Sequence, residues 1–278
     1  MKFLEKNIYS QTGEDGIIEK IFEVTGAENR WCVEFGAWDG VYNSNTAHLI
    51  RDKGWSAVLI EGDKERADQL KSNYSGDAKV TCLQAIVDFE GDNSLQSLLG
   101  HTPVPRSFDL ISIDVDGPDF HIWNSLKEYE PRVVVIEFNP TIPPNAEFVQ
   151  PRDMRLSQGS SLLSIAELGK MKGYELVYAT KLNGFFVKKE LYARFGITDN
   201  SASVLQKSLE CRMNVFQLYD GTLVVRGLQK FLWHDVGISS SNIQIIPRPF
   251  RMFPGNMGRI RSFLFKVWRK MHNFRAHR

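Results

Sequence analysis

Over residues 1–190, short apolar runs alternate with segments in which apolar residues recur at helical spacing. Five apolar runs predict buried strands: Trp31–Phe35, Val58–Asp63, Val80–Val87, Arg106–Val115 and Pro131–Phe138. The spacing of the other segments predicts helices: Ser10–Phe22, Gly40–Asp52, Lys64–Ser72, Asp92–Leu99 and Phe120–Tyr129. Strands that alternate with helices predict a doubly wound α/β fold with a mostly parallel, Rossmann-like sheet.

The region after the fifth predicted strand changes character. Residues 139–155 contain four prolines and predict an irregular loop, which at this length usually covers a site. A helix over Ser160–Lys172 follows, and then Tyr174–Thr180 and Asn183–Lys188 predict an antiparallel pair at the sheet edge. We therefore place the sheet domain at residues 1–190, an α/β extension that is a candidate part of an acceptor pocket at 191–246, and a basic amphipathic tail at 247–278.

The charge along the chain is strongly asymmetric. Residues 1–235 contain 25 Lys/Arg against 33 Asp/Glu, whereas residues 236–278 contain nine Lys/Arg and no acidic residue. An acidic body predicts no nucleic-acid partner. Three scattered cysteines without a C-x-x-C pattern predict a reducing compartment and no zinc site. No apolar run suits a signal peptide or a membrane span, which favours a cytoplasmic protein.

The first predicted strand ends in a glycine turn. Gly36 and Gly40 form G-x-x-x-G, which differs from the G-x-G-x-x-G of dinucleotide enzymes. Glu34, just ahead of the turn, would repel a pyrophosphate. Glu61, at the end of the second strand, can accept both hydroxyls of a ribose. A cofactor with a ribose and a positive centre but no phosphate fits this pattern, which predicts S-adenosylmethionine. The alternative is a purely structural turn.

Three further residues are candidates for cofactor binding. Gln11 lies on the polar face of the first predicted helix, where it could close over the cofactor or belong to a helix cap. Asn45 lies in a polar segment whose free amides could hold the carboxylate of the methionine part. Asp88 follows the third strand and could reach an adenine amino group, or be a solvated loop acid.

Polar groups collect after the fourth and fifth predicted strands. The parallel strands bring these ends to one edge of the sheet, where ligands bind, and buried acids are costly unless they are paired or bound to a cation. Two roles are open. Asp114, Asp116, Glu137 and Asn139 could hold Mg²⁺, Mn²⁺ or Ca²⁺. Alternatively, Asp116 or His121 is the general base for a substrate hydroxyl; His121 could also be an ordinary helix residue.

Five motifs in this order resemble the FkbM-type, class I S-adenosylmethionine-dependent methyltransferases. They are SQTGEDGII (Ser10–Ile18), VEFGAWDG (Val33–Gly40) with SNT (Ser44–Thr46), IEGD (Ile60–Asp63), DLISIDVDGPD (Asp109–Asp119) and VVVIEFN (Val133–Asn139). The resemblance covers residues 10–190 and implies methyl transfer to hydroxyls of sugars or polyketides, often in surface-glycan or antibiotic pathways.

The match departs from the family pattern at Asp116, where D-V-D-G stands in place of the usual D-V-E-G. The shorter acid leaves room for a cation. The placement of Asp114 against Glu137 and Asn139 is also similar to metal-dependent catechol-type methyltransferases. The resemblance therefore makes Asp114 a candidate for cofactor binding, catalysis and metal binding together.

The C-terminal part lies outside the resemblance. Arg212–Arg226 predicts a hairpin that turns at Asp220-Gly221. Arg259–Met271 predicts a basic amphipathic helix whose apolar residues, Trp268 included, suit peripheral contact with an anionic membrane, at the inner membrane surface. The alternatives are docking of the helix on the body of the protein or on a second subunit of a homo-oligomer.

The sequence thus predicts an O-methyltransferase that acts on a hydroxyl of a small molecule, namely a sugar or glycan precursor. The rival hypothesis is a non-catalytic module that keeps the nucleotide pocket and serves as a scaffold through its tail. A dehydrogenase is disfavoured because G-x-G-x-x-G is missing.

Overall fold

A seven-stranded sheet organises the first part of the chain. In the computed structural model, which describes residues 3–208 and 210–276, its strands are β1 (Trp31–Phe35), β2 (Ser56–Glu61), β3 (Val80–Gln84), β4 (Ser107–Ile113), β5 (Glu130–Glu137), β6 (Tyr174–Ala179) and β7 (Asn183–Lys188). They lie in the order β3-β2-β1-β4-β5-β7-β6. Strands β1 to β5 are parallel, and β7 is antiparallel to both β5 and β6. The predicted doubly wound, mostly parallel sheet with an antiparallel edge is confirmed.

Helices cover both faces of this sheet. They are α1 (Glu14–Thr25), α2 (Ala47–Arg51), α3 (Lys64–Asn73), α4 (Leu95–Gly100), α5 (Asp119–Ser125), α6 (Leu162–Met171), α7 (Lys189–Tyr192) and α8 (Ala202–Leu205). One apolar core joins the sheet to α4, α5 and α6 through residues such as Leu99, Trp123 and Ile165. A second core joins the opposite face to α1, α2 and α3 through Ile18, Ile50 and Leu70. Near-continuous apolar strands result from this burial on both faces.

Several predicted elements are shorter than expected, and at three of them local hydrogen bonds replace the regular pattern. The helix predicted at Gly40–Asp52 begins only at Ala47, because the segment before it is bonded to Glu34. The helix predicted from Ser10 begins at Glu14, because Asp15 accepts the backbone amides of residues 8–10. The third strand ends at Gln84, ahead of a turn in which the Asp88 amide donates to the Asn93 carbonyl.

The chain divides into two compact units after Ser208. The sequence placed the domain boundary at 190, but α7 and α8 belong to the first unit. Leu191 and Phe195 are buried in the core on the α1 side, and Ala202 in the core on the α4 side. The roles assigned to residues 191–246 and 247–278 stay predictions.

The second unit contains the predicted hairpin, formed by β8 (Met213–Gln217) and β9 (Leu223–Gly227). A two-stranded sheet of β10 (Lys230–Phe231) and β11 (Val236–Gly237) follows. The last helix, α9 (Arg259–Ala276), starts at the predicted residue and extends beyond Met271. No helix within the described ranges has the length and apolar content that crossing a bilayer requires.

Candidate active site

A cavity of about 390 Å³ lies in the first unit, at the carboxyl ends of β1, β2, β4 and β5. Its walls come from the segments that follow these strands and β3. The lining residues are Gln11, Gly36, Trp38, Tyr42, Asn43, Glu61, Gly62, Arg66, Ala85, Ile86, Val87, Asp114, Val115, Asp116, Pro118, Glu137 and Met154. Strands β2 and β4 lie on opposite sides of β1, so the chain order of the sheet reverses here, which is where α/β sheets bind ligands.

Close backbone approach shapes the floor of the cavity at Gly36. This residue has φ +73° and lies against the end of β4. A Cβ at Gly36 would come within 1.7 Å of the Asp114 carbonyl oxygen. Glycine is therefore required here, as the predicted turn implied.

The carboxylate of Glu61 ties two loops together at the end of β2. One oxygen accepts the Trp38 amide at 2.8 Å, and the other accepts the Asp63 amide at 2.8 Å. Glu61 is buried but lines the cavity. The bonds to the two loops fix the direction of the carboxylate before any ligand arrives.

A cluster of Trp38, Tyr42 and Arg66 lines the cavity beside Glu61. The guanidinium of Arg66 lies 3.7 Å from the centroid of the Trp38 ring, and the Tyr42 ring meets Trp38 edge-on with centroids 5.4 Å apart. Trp38 and Tyr42 are 39% and 58% exposed, so both rings offer surface to a ligand. The sequence did not single out Arg66, since its position on the polar face of a helix gives no signal.

The structure brings together three of the four predicted metal ligands. A carboxylate oxygen from each of Asp114, Asp116 and Glu137 lies within 4.8 Å of the others. Burial, followed by the negative charges of Asp119 and Asp116, raises the pKa of Asp114 to about 8. Burial and the charge of Asp114 raise the pKa of Glu137 to about 10. Such an uncompensated cluster favours either protons or a bound cation.

The fourth predicted ligand, Asn139, is occupied elsewhere. Its amide oxygen accepts both the backbone amide and the hydroxyl of Thr141, at 2.9 and 2.6 Å, and its amide nitrogen donates to the Gln158 carbonyl. Asn139 is buried and does not line the cavity. It shapes the loop that follows β5.

His121 does not line the cavity either. Its Nε2 atom lies 2.7 Å from the Gln150 carbonyl oxygen, and its ring packs edge-on against Phe89 and Phe120. Asp119 is likewise used within the turn, where it accepts the amides of Val115 and Gly117. These contacts leave Asp114 and Asp116 as the predicted catalytic groups that line the cavity.

Several predicted cofactor residues instead support the walls. Glu34 accepts the hydroxyls of Ser44 and Thr46 and the amide of Asn45, while the Asn45 side chain donates to Ser112. Burial raises the pKa of Glu34, and the bonds from the two hydroxyls oppose that rise. The 44–46 segment therefore binds a protein carboxylate in this structure.

Gly40 and Asp88 also lie outside the cavity lining. A Cβ at Gly40 would come within 2.6 Å of the Leu70 and Tyr74 side chains, so this glycine allows α3 to pack closely. The Asp88 carboxylate accepts the Phe89 amide. On the β3 side the cavity is lined by Ala85, Ile86 and Val87 instead.

The proline-rich loop after β5 reaches the site. Met154 lines the cavity, in agreement with the expectation that this loop covers a site. The loop is held by buried Gln150, whose amide oxygen accepts the amides of Gln158 and Gly159 and whose amide nitrogen donates to the Leu156 carbonyl. Nothing in the sequence pattern singled out Gln150.

Comparisons with known proteins return similar folds only. No protein-family model and no curated protein match the chain. It is similar to an S-adenosylmethionine-dependent methyltransferase from Clostridium acetobutylicum (TM-score 0.42, 10% identity, 63% of this chain and 90% of that chain). An O-methyltransferase from Bacillus cereus in complex with SAH gives TM-score 0.41 and 19% identity over 66% of this chain and 84% of that chain.

A methyltransferase structure from Galdieria sulphuraria gives TM-score 0.40 and 14% identity, over 59% of this chain. The match spans 62% of the Galdieria chain. Likeness at this level assigns no activity. The function proposed below rests on the cavity and the motifs of this chain.

Proposed function

We propose that the chain is an S-adenosylmethionine-dependent O-methyltransferase that acts on a hydroxyl of a sugar or glycan precursor. The observation that carries the proposal is the cavity at the switch point of the sheet, with Glu61 fixed at the end of β2 and Gly36 against the end of β4. The motifs that resemble the FkbM-type enzymes supply these residues.

The charges of the cavity support a cationic cofactor. Among the described lining residues, four are acidic and one, Arg66, is basic. The raised pKa values of Asp114 and Glu137 leave both protonated at pH 7 when no cation is bound, so the negative charges are those of Glu61 and Asp116, against the one positive charge of Arg66. A partly buried cavity of this charge disfavours a pyrophosphate and favours a sulfonium centre, since opposite charges attract strongly where water is scarce. When bound, S-adenosylmethionine supplies the transferable methyl group.

Glu61 and its neighbours are placed to hold the nucleoside part. Each carboxylate oxygen of Glu61 accepts one backbone amide and has a second lone pair for a ribose hydroxyl. Ile86, 66% exposed, offers an apolar surface for a base next to Gly62. Gln11 and the turn at Gly36 line the same cavity.

A divalent cation fits the acid cluster. Three carboxylates that converge within 4.8 Å provide the oxygen ligands that Mg²⁺ and Mn²⁺ prefer, and a cation would offset their mutual repulsion. Asp114, Asp116 and Glu137 would hold such an ion, and it would supply a lower pKa for the acceptor hydroxyl. Without an ion, exposed Asp116 is the group placed to take the proton from an acceptor hydroxyl.

Calorimetric titration with S-adenosylhomocysteine tests the cofactor pocket. We expect micromolar binding to the wild-type protein. Glu61→Gln should weaken it about 10- to 150-fold, which corresponds to a lost charged hydrogen bond of about 1.5–3 kcal/mol. Glu65→Gln, the same change at an exposed position on α3, is the matched control and should bind normally. No binding by the wild type would instead favour the scaffold hypothesis.

Titration with Mn²⁺ alone tests the cation separately. Asp114→Asn should weaken Mn²⁺ binding at least about tenfold because one anionic ligand is lost. Asp92→Asn, at an exposed acid outside the cavity, is its control. Equal Mn²⁺ affinity in both variants would remove the metal from the proposal and leave Asp116 as the base.

A further inference from the structure

The C-terminal helix α9 exposes a row of large apolar side chains. They are Ile260, Phe263, Leu264, Val267 and Met271, between 44% and 79% exposed. At 100° per residue these positions fall within an arc of about 100° on one side of the helix. We call this arc the apolar stripe.

Helix α9 packs on its neighbours through a side of the helix that differs from the apolar stripe. Phe265 and Trp268 are half-buried and pack with Phe250, at centroid distances of 5.6 and 6.1 Å, and Trp268 stacks on His272. The sequence pattern placed Trp268 on the same face as the stripe, but the structure turns it toward Phe250. Packing within the second unit therefore does not account for the apolar stripe.

Basic side chains border the apolar stripe on both sides. Arg259, Lys266 and Lys270 lie within about 60° of one border and Arg261 within about 60° of the other, and all four are exposed. The whole segment after Asp235 has nine Lys/Arg and no acidic residue. Surface helices are stabilised by acidic side chains at i, i+4 from their basic ones, but α9 contains no acidic residue.

We propose that α9 binds flat on the surface of an anionic phospholipid bilayer, with the apolar stripe inserted at the level of the headgroups. An exposed apolar arc flanked by cations satisfies both parts of such a surface, since the long Lys and Arg side chains reach the lipid phosphates while the stripe leaves water. This surface shares no residue with the candidate active site.

Other occupants fit less well. Two copies of α9 that met stripe to stripe would bring two sets of bordering cations together without an acid between them. A nucleic acid would use the cations but leave the five exposed apolar side chains in water. The charge and the stripe together therefore favour lipid.

Sedimentation of the full chain with vesicles tests the proposal. We expect binding to vesicles of phosphatidylcholine and phosphatidylglycerol in equal parts, weaker binding at high salt, and none to phosphatidylcholine alone. Lys266→Gln/Lys270→Gln should lower the partition coefficient about 30-fold, as expected for two cations near an anionic surface. Lys64→Gln/Lys71→Gln, at exposed lysines of α3, is the charge-matched control and should bind normally.

The apolar stripe is tested by Phe263→Ser/Leu264→Ser/Val267→Ser. This variant should bind the anionic vesicles at least about 100-fold more weakly. Met171→Ser/Val204→Ser removes exposed apolar side chains of the first unit and should bind normally. Circular dichroism checks that α9 still folds in the stripe variant. If it does not fold, the lysine variant still tests the proposal.

Three results would overturn the proposal. The first is no sedimentation with anionic vesicles, or equal sedimentation with both kinds. The second is full vesicle binding by the stripe variant, which would mean a purely electrostatic contact. The third is a stripe variant that changes from dimer to monomer in the absence of lipid, which would assign the stripe to a second copy of the chain.

Discussion

Four residues around the cavity hold left-handed backbone angles. Gly36 has φ +73°, and three non-glycine residues, Trp38, Asn43 and Asp116, have φ between +51° and +60°. Such angles cost a side-chain-bearing residue about 1–2 kcal/mol, so the surrounding bonds must hold them. At Trp38 the backbone angle is held by the hydrogen bond that the Trp38 amide donates to the Glu61 carboxylate. The strain is concentrated where a ligand would bind.

Gly36→Ala should destabilise the protein by about 2–4 kcal/mol, because the new Cβ would overlap the Asp114 carbonyl oxygen and the backbone angle would also be strained. Urea unfolding measures the loss. Gly196→Ala is a matched control, since Gly196 has φ +62° but open space around it, and should cost only about 1 kcal/mol. Equal losses would mean that backbone angle alone, and not close approach, selects glycine at residue 36.

A buried ion pair joins β4, β5 and the segment before β1, at the end of the sheet opposite the cavity. Asp109 of β4 is fully buried and accepts Arg132 of β5 at 2.7 Å. The same carboxylate accepts the backbone amides of residues 28–30, just before β1. Asp109 thus fixes the start of β1 beside β4.

Asp109→Asn should lower the free energy of unfolding by about 3 kcal/mol, because buried Arg132 would keep only the exposed carboxylate of Glu28, 3.2 Å away, as its counter-charge. The backbone amides of residues 28–30 would also lose an anionic acceptor. Urea unfolding followed by tryptophan fluorescence measures it. The surface pair of exposed Glu130 and half-buried Lys188, 2.9 Å apart, provides the control. Glu130→Gln should cost at most about 1 kcal/mol. A comparable loss in both variants would contradict a special role for the buried pair.

At the scale of the whole molecule, the two compact units separate two kinds of chemistry. The described residues that line the cavity all precede Ser208, and four of the five charged ones are acidic. The second unit contains α9, its basic borders and its exposed apolar stripe. The charge asymmetry of the sequence thus follows a division of the structure.

Truncation after Ser208 should leave the affinity for S-adenosylhomocysteine unchanged, because no described lining residue is removed. Calorimetric titration of the truncated and full chains compares the two affinities, and circular dichroism confirms that the shorter chain folds. A loss of more than about tenfold, or about 1.4 kcal/mol, would show that residues after 208 contribute to the cofactor pocket.

Alternation of apolar runs with helical spacing was enough to predict the sheet, since burial on both faces forces apolar strands and the period distinguishes the helices between them. The predicted bounds of β1 (Trp31–Phe35) and β7 (Asn183–Lys188) are the same as the observed ones. The ends of other elements were missed where a side chain competes for the backbone, as Glu34 does for the segment at 44–46.

For the site, strand ends and residue types predicted that Glu61, Asp114, Asp116 and Glu137 would meet, because parallel strands deliver their carboxyl ends to one edge. Sequence order says nothing about which neighbour takes a polar group first. Only the tertiary structure therefore decided that Asn139 and His121 both bind the loop after β5, that Arg66 lies on Trp38, and that Trp268 turns away from the apolar stripe. The pattern of apolar positions predicts an element, and packing decides which neighbour each of its side chains meets.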